Sequence, residues 1–284
     1  MDRTRVASMV KHSIDFHIHT APDPYKERSN DALDAAEQAV EAGMRAIVIK
    51  SHHYPTAPVA SAAQKSVRDA IRVIGSLALN ESVGGVNAAA VEASARMGAK
   101  VLWMPTTSSL RHCRKAGKQG GISIIDKNGE LKEPIYKVLE VVKKYNLALC
   151  TGHISVEESW KLLEAAGFLA IEKFILTHPF TEAVGDPIGL DIQTRFAQRG
   201  AYIEHCFVAT MPKHGNLDPA VIVRAIRCVG AERCILSTDM GQKHNPVPAE
   251  GMRMLVDTML NSGLTEEELE LLIKKNPALM LDID

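Results

Sequence analysis

The sequence has no excess of basic residues, because 33 lysines and arginines face 34 aspartates and glutamates, for a formal net charge of -1. Such a chain has no global positive field that would hold nucleic acid or an anionic membrane surface. Its apolar runs also fall short of the roughly 20 residues that cross a bilayer. We therefore expect a small-molecule substrate, with neither nucleic acid nor membrane as partner, and we leave self-association into a homo-oligomer open.

Cysteine is present without any pattern. The five cysteines are odd in number and lie mostly inside apolar runs, which is typical of buried thiols in a reducing compartment rather than of a disulfide framework. No amino-terminal stretch has the apolar segment of a signal peptide. Together these absences predict a cytoplasmic protein. The cysteines are Cys113, Cys150, Cys206, Cys228 and Cys234.

What the chain does have is a repeating pattern along its whole length. With 284 residues, 46% of them apolar, it can bury one large core, and we expect a single domain over residues 1–284. A helix-like segment, a glycine and a short apolar run recur, as the pattern of alternating helices and strands requires. The glycines stand where helices would end in a left-handed turn. They are Gly43, Gly98, Gly167, Gly200 and Gly230.

Eight strand candidates spaced by helices predict a (β/α)8 barrel of the TIM type, although an open doubly wound sheet has the same local alternation. Metal-binding residue types end strands one, five, six and eight. They can meet at one point only if the sheet curls round, so they favour the closed barrel. The candidates are roughly 14–19, 45–51, 72–80, 100–106, 147–153, 173–178, 201–207 and 234–239.

Two segments depart from a bare barrel. Residues 106–134 are too long for an ordinary βα loop and contain ISIIDKNGEL, whose Asn-Gly pair predicts a hairpin, so this segment is a candidate lid. The tail SGLTEEELELLIKKNPALML has Thr265 before a run of acidic residues and Pro277 after two lysines. This order predicts a capped closing helix.

Five residues with metal-binding side chains lie at the carboxyl ends of apolar runs. Two of them are separated by one residue in IDFHIHT, so a strand points both imidazoles to the same side. A polar strand end explains any one of the five equally well, but five at mutually reachable barrel positions predict a shared metal site. Imidazole and carboxylate suit zinc, with manganese or iron as alternatives. The five are His17, His19, His153, His178 and Asp239.

Strand alternation also predicts the surroundings of His17. It places Asp15 on the inward face below that ring and turns Ile14, Phe16 and Ile18 toward the helices. Asp15 would then either orient a ligand imidazole or act as a hydrogen-bonded strand residue.

The order of these motifs resembles the amidohydrolase superfamily of metal-dependent hydrolases, with H-x-H on strand one, histidines ending strands five and six, and an aspartate ending strand eight. The closing KKNPALML is similar to endings common in that superfamily, so the resemblance covers nearly the whole chain. It implies that the five residues bind one or two divalent ions, zinc in the first place. It also implies that Asp239 is the general base for a metal-activated water that attacks the substrate.

The sequence departs from that superfamily at strand four, where members with two metals usually have a carboxylated lysine or a glutamate; the strand end WMPTT has neither. Lys50, on the predicted inward face of strand two, is a candidate catalytic residue, as a carboxylated bridging ligand or as a cation that holds an anionic substrate. A solvated strand-end lysine explains it equally well. Glu204 is also expected to point inward, where it pairs with Lys50 or takes part in substrate binding and acid–base chemistry.

Basic residues crowd the long loop after strand four and favour a small anionic substrate, with Arg111 as the candidate substrate-binding residue. A solvated mobile loop accounts for the same charges equally well. The basic residues of this loop are Arg111, His112, Arg114, Lys115 and Lys118.

Three alternatives to the hydrolase stay open. DFHIHT also resembles the first motif of the polymerase-and-histidinol-phosphatase class of phosphoesterases, where His52 or His53 would suit the second motif. The same residues with a single metal resemble non-hydrolytic decarboxylases of the amidohydrolase superfamily. A barrel that keeps a metal only for structure is disfavoured, because structural zinc sites usually close their coordination with four protein ligands.

Overall fold

The computed structural model describes residues 3–283, and within them eight parallel strands form one sheet in chain order. All eight predicted strands are confirmed, with ends that differ from the prediction by no more than three residues. The strands are β1 (Ile14–His19), β2 (Ala46–Lys50), β3 (Arg72–Ala78), β4 (Ala99–Trp103), β5 (Ala148–Cys150), β6 (Phe174–Thr177), β7 (Tyr202–Cys206) and β8 (Cys234–Ser237).

The residues that follow β8 close the sheet onto β1. The backbone N–H of Asp239 donates to the carbonyl of His17 at 2.8 Å, and that of His19 donates to the carbonyl of Met240 at 2.7 Å. Ile18 and Met240 form a parallel bridge between the same segments. The predicted (β/α)8 barrel is therefore confirmed over the open sheet, and its closure lies directly at the predicted ligands.

Helices surround the sheet, and the closing helix begins at Thr265, the cap that the sequence predicts. Thr265 and Glu268 form the capping box of the predicted closing helix, and Ser155 and Glu158 form another. None of the helices in residues 3–283 is long and apolar enough to cross a bilayer. They are α1 (Arg3–Val10), α2 (Ala32–Glu41), α3 (Ala57–Val67), α4 (Ala88–Arg96), α5 (Leu110–Lys115), α6 (Glu133–Tyr145), α7 (Val156–Phe168), α8 (Leu190–Gln198), α9 (Pro219–Val229), α10 (Pro248–Asn261), α11 (Glu266–Glu270) and α12 (Asn276–Leu281). Short 3-10 turns cover Glu81–Val83, Phe207–Thr210, Pro212–His214 and Ala231–Arg233, and a π-helical turn covers Leu271–Lys275.

Apolar side chains form two layers. The outer layer lies between the strands and the helices and includes Ile47 and Leu236. The inner layer fills the barrel with residues such as Val48 and Trp103, and α12 closes its lower end with Met280. Apolar side chains fill the lower part of the barrel interior. The polar side chains therefore lie at the carboxyl end of the strands, where active sites of such barrels lie.

One prediction for β1 is wrong. Ile14 and Phe16 lie in the inner layer rather than against the helices, and only Ile18 faces outward as predicted. A register shift between Asp15 and Ile18 causes the difference, because a bulge changes which side chains face inward. Asp15 instead pairs with Ile47 of the outer layer and accepts hydrogen bonds from the backbone N–H and hydroxyl of Thr238 at 3.0 and 2.6 Å. The sequence left two roles open for Asp15, to orient a ligand imidazole or to act as a hydrogen-bonded strand residue. These contacts favour the second role.

The long segment after β4 contains α5 and then the predicted hairpin, reduced to a single antiparallel bridge between Ile125 and Leu131. The segment is pinned to α7, because the carboxylate of Glu158 accepts hydrogen bonds from the backbone N–H of Ile124 and the hydroxyl of Ser123, both at 2.8 Å. It therefore forms an anchored wall of the barrel mouth rather than an unattached lid.

Candidate metal centre

Three of the predicted ligands meet where the barrel closes. The Nε2 atoms of His17 and His19 lie 3.2 and 3.1 Å from Oδ1 of Asp239. One ligand atom from each residue lies within 4.8 Å of the other two, and all three residues are buried. Asp239 adopts a positive φ of 52°, an uncommon conformation for a residue other than glycine. Its backbone bond to His17 holds it there, so the contacts that close the barrel also assemble the centre.

Glu204 determines which nitrogen of His17 faces the centre. Its Oε1 lies 3.1 Å from Nδ1 of His17 and accepts a hydrogen bond from the hydroxyl of Ser237 at 2.7 Å. With the proton on Nδ1, the Nε2 of His17 presents a lone pair to the Asp239 carboxylate. Lone pairs that converge in this way repel unless a cation lies between them.

The position of Glu204 bears on its predicted roles. Its side chain is fully buried behind the ring of His17, away from the barrel mouth. This position favours pairing inside the barrel over contact with a substrate. The partners of Glu204 are His17 and Ser237 rather than the predicted Lys50. The participation of Glu204 in substrate binding stays a prediction.

Lys50 lies in the same centre. Its Nζ is 2.9 Å from Nε2 of His17 and 4.9 Å from the centre of the Trp103 ring, and the residue is 2% exposed. This burial excludes a solvated strand-end lysine. Burial also lowers the pKa of Lys50, against the carboxylates of Asp239 and Glu204, which raise it.

The other two predicted ligands extend the cluster from β5 and β6. The ring centre of His178 lies 6.0 Å from that of His17, and the ring of His153 lies 4.9 Å from His178. Two histidines outside the predicted set adjoin them. The ring of His52 is 4.9 Å from that of His19, and Nδ1 of His112 lies 3.1 Å from Nδ1 of His153. The five predicted ligands therefore belong to one continuous cluster of imidazoles at the barrel mouth.

The protonation of this cluster fits a divalent cation. Burial lowers the pKa of both His19 and His178 to about 3 and lowers that of His153 well below its ordinary value, so these rings are neutral near pH 7. Burial acts to raise the pKa of Asp239, but His17 and the hydrogen bond from His19 hold it well below its usual range. Neutral imidazoles beside an ionised carboxylate are the donors that zinc, manganese and iron accept. Nδ1 of His19 is buried without a hydrogen-bond partner among residues 3–283, an unsatisfied polar atom at the candidate centre.

The sequence interpretation overlooked a second group of polar residues, which lines a cavity of about 580 Å³ at the barrel mouth. The group comes from the loops after β1, β7 and β8, and the ends of β1 and β8 also hold the tightest group of candidate ligands. The general rule that function lies in the loops at the carboxyl ends of barrel strands could have indicated it. The cationic residue types among its lining are Lys26, Arg28, His214, Lys243 and His244.

Arg111, the predicted substrate-binding residue, joins two loops of the barrel. Its Nη2 donates to the backbone carbonyl of Asp186 at 2.6 Å, and its Nη1 donates to that of Ile154 at 3.5 Å. It borders a different cavity from the one that Lys26 lines. Its contact with a substrate stays a prediction.

Residues 12–204 match a family described as a family of unknown function (DUF6282). A search of curated proteins found no match. Among solved structures, an amidohydrolase from Pseudomonas aeruginosa is 12% identical with a TM-score of 0.66, over 99% of this chain and 98% of that one. A 2,6-dihydroxybenzoate decarboxylase from Rhizobium is 14% identical with a TM-score of 0.59, over 96% and 99%. An amidohydrolase from Burkholderia multivorans is 10% identical with a TM-score of 0.56, over 96% and 99%.

At these identities the similarity concerns the fold. The structural neighbours are amidohydrolase-superfamily members that include both hydrolases and decarboxylases, so the resemblance predicted from the sequence is confirmed at the level of the fold. The neighbours are enzymes, and their match covers nearly the whole chain.

Proposed function

The chain belongs to the family of unknown function DUF6282, and we propose that it is a metal-dependent hydrolase of the amidohydrolase type that acts on a small anionic substrate. The observation that carries this proposal is the convergence of His17, His19 and Asp239, whose ligand atoms lie within 4.8 Å of one another. His153 and His178 would complete the set of ligands for one or two ions, zinc in the first place and manganese or iron otherwise.

A bound divalent ion would supply Lewis acidity and lower the pKa of a bound water toward about 7. Asp239 is ionised and lies at the open end of the barrel, so its carboxylate is the group that accepts the proton of the attacking water. Glu204 holds the ring of His17 through Nδ1, and Lys50 places a nitrogen beside Nε2 of that ring. Protonated, Lys50 would offset negative charge that develops on the substrate; carboxylated, it would bridge two ions.

A non-hydrolytic decarboxylase is the second candidate. The tightest ligand group contains three side chains, which is enough for one ion, and a rhizobial decarboxylase shares the fold over 96% of this chain. His52, which would suit the second motif of the phosphoesterase alternative, adjoins the cluster with its ring 4.9 Å from that of His19. None of the solved structures named above is described as such a phosphoesterase, so this alternative ranks behind the decarboxylase.

Elemental analysis of protein purified without a histidine tag tests the metal, with His17→Ala/His19→Ala as the variant and His12→Asn, outside β1, as the control. We expect bound metal in the parent and the control and its loss in the double variant. A parent that holds no metal after incubation with zinc, manganese or iron would contradict the proposal.

Product analysis on a panel of lactones, N-acyl amino acids and hydroxybenzoates separates the two candidates. Hydrolysis incorporates oxygen-18 from labelled water into the product without releasing carbon dioxide. Decarboxylation releases carbon dioxide and incorporates none, and that outcome would replace the hydrolase by the lyase.

A further inference from the structure

We propose that the side chain of Lys26 is an anion-binding subsite at the barrel mouth, which binds a carboxylate or phosphate group of the substrate while the reacting group lies at His17, His19 and Asp239. Anion binding by Lys26 is inferred from the cavity that this residue lines. Only the link to catalysis rests on the proposed function.

Lys26 lies in the loop between β1 and α2. It lines the cavity of about 580 Å³ together with residues that follow β7 and β8. Burial is the largest cause of the lowered pKa values of His53 and His214, and the positive charge of Lys26 contributes to both. These histidines follow β2 and β7, so Lys26 acts on more than one side of the same mouth.

The positive charge of Lys26 is not neutralised by a neighbouring carboxylate, unlike the charges of Arg28 and Lys243. Arg28 is paired with Asp23 through its Nε at 3.0 Å, and Lys243 is paired with Glu27 at 2.5 Å. Among residues 3–283, no carboxylate lies within ion-pair distance of the Lys26 ammonium, so it is the unneutralised lysine of this cavity. An unpaired ammonium at a concave mouth attracts anions and forms charge-assisted hydrogen bonds with them.

The loop around Lys26 is ordered by its own hydrogen bonds. Oδ1 of Asp23 accepts hydrogen bonds from the backbone N–H groups of Tyr25 at 2.9 Å and Lys26 at 3.0 Å, while its Oδ2 accepts from Arg28. Arg28 also forms an antiparallel bridge with Gln242 beyond β8. The backbone that carries Lys26 is therefore tied to the segment that follows Asp239, which holds this loop beside the candidate metal centre.

Two histidines that line the same cavity contact each other. The rings of His214 and His244 are stacked, with their Nε2 atoms 3.0 Å apart. Two lone pairs at that distance would repel, so at least one of these nitrogens carries a proton. That proton is used between the two rings, so the ammonium of Lys26 is the free cation that this cavity offers to an acidic group of the substrate.

The test titrates the full-length chain with inorganic phosphate and, separately, with malonate, using isothermal calorimetry. The variants are Lys26→Ala and Lys26→Arg. The matched control is Lys243→Ala, which removes the same charge from the same cavity but from a lysine that is already paired. Each titration is done on protein treated with a chelator and on protein loaded with zinc.

We expect Lys26→Ala to weaken binding of the preferred anion by on the order of tenfold, the loss of one charge-assisted hydrogen bond. Lys26→Arg should stay close to the parent, and Lys243→Ala should change binding far less than Lys26→Ala. Tighter binding of phosphate indicates a phosphorylated substrate, and tighter binding of malonate indicates a carboxylate.

Two results would overturn the subsite: no binding of either anion by the parent, or equal weakening in Lys26→Ala and Lys243→Ala, which is the behaviour of a diffuse field. The metal content of each variant separates this failure from failure of the proposed function. Anion binding through Lys26 in a chain that holds no metal would remove the proposed hydrolase and keep the subsite.

Discussion

Asp239 adopts an uncommon backbone conformation, a positive φ of 52°, where the closure of the barrel meets the candidate metal centre. Asparagine tolerates that conformation better than other residues, so Asp239→Asn removes the charge with little backbone cost. We expect turnover to be abolished while much of the metal stays bound, since the histidines remain. Steady-state kinetics and elemental analysis measure the two effects.

The control for that variant is Asp69→Asn, an exposed aspartate before β3 at the other end of the barrel. It should keep both turnover and metal. Turnover of Asp239→Asn near that of the parent would remove Asp239 from the role of base.

Glu204 contacts Nδ1 of the candidate ligand His17, so Glu204→Gln should weaken metal binding. Glutamine keeps the size but loses the charge that holds the Nδ1 proton of His17, and substitutions of such partners typically cost about 10- to 100-fold in metal affinity. Competition with a chelator measures the affinity. The control is Ser237→Ala, which removes the other hydrogen bond to Glu204 but keeps the carboxylate. Equal affinities in the parent and Glu204→Gln would exclude the positioning role.

At the scale of elements, the contact between β1 and the segment after β8 leaves no room for a side chain at Gly241. A Cβ there would lie 1.8 Å from the carbonyl oxygen of His19, at a φ of +127°. Gly241→Ala must therefore push that segment away from β1, and we expect loss of bound metal together with a lower free energy of unfolding. Urea denaturation and elemental analysis measure both.

Gly98→Ala is the matched control for Gly241→Ala. Its φ of +99° imposes a comparable backbone strain, but a Cβ there meets no atom within 4 Å. It should lower stability by about 1 to 3 kcal/mol through strain alone and keep the metal. If both variants kept the metal, the barrel closure would not be what assembles the centre.

For the whole molecule, a metal held by the folded chain alone makes stability depend on metal concentration. At a free ion concentration 100 times the Kd, the linkage contributes about 2.7 kcal/mol. We expect a chelator to lower the Tm of the parent by several degrees, as thermal denaturation would measure. The same chelator should leave the Tm of His17→Ala/His19→Ala unchanged, and an equal fall in that variant would show that the effect is not due to this site.

Buried histidines also make the stability of the whole molecule depend on pH. Burial lowers the pKa of His205 to about 4, from an ordinary value of 6.5, and both of its ring nitrogens lack partners among residues 3–283. The unfolded chain thus binds this proton more readily. The corresponding stability is fully present above pH 6.5 and is lost as the pH falls toward 4.

His205→Leu should flatten that dependence by about 1.4 kcal/mol per pH unit between those two values, because leucine fills the outer layer against Phe180 without a group to protonate. Urea denaturation of chelator-treated protein from pH 7 to pH 4 measures the slope. An identical slope in the parent and the variant would contradict the assignment.

Local patterns in the sequence determined which residues form the strands and where their polar ends lie. Alternating apolar runs and helix caps depend on neighbours in the chain, so all eight strands and the closing helix could be predicted. The same patterns brought His153 and His178 to the barrel mouth in the prediction, since a barrel collects the carboxyl ends of its strands at one face.

Tertiary structure alone decided what depends on contacts between distant segments. The bulge in β1 reversed the facing of Ile14 and Phe16, because register is set by pairing with β2. The packing of β7 against β1, more than 150 residues away in the chain, pairs Glu204 with His17. Hydrogen bonds within the loop after β1 position Lys26, and no periodicity in the sequence encodes them. Strand periodicity is a local property of the backbone, whereas the partner of a buried charge is chosen by whichever segments the closed barrel brings within reach.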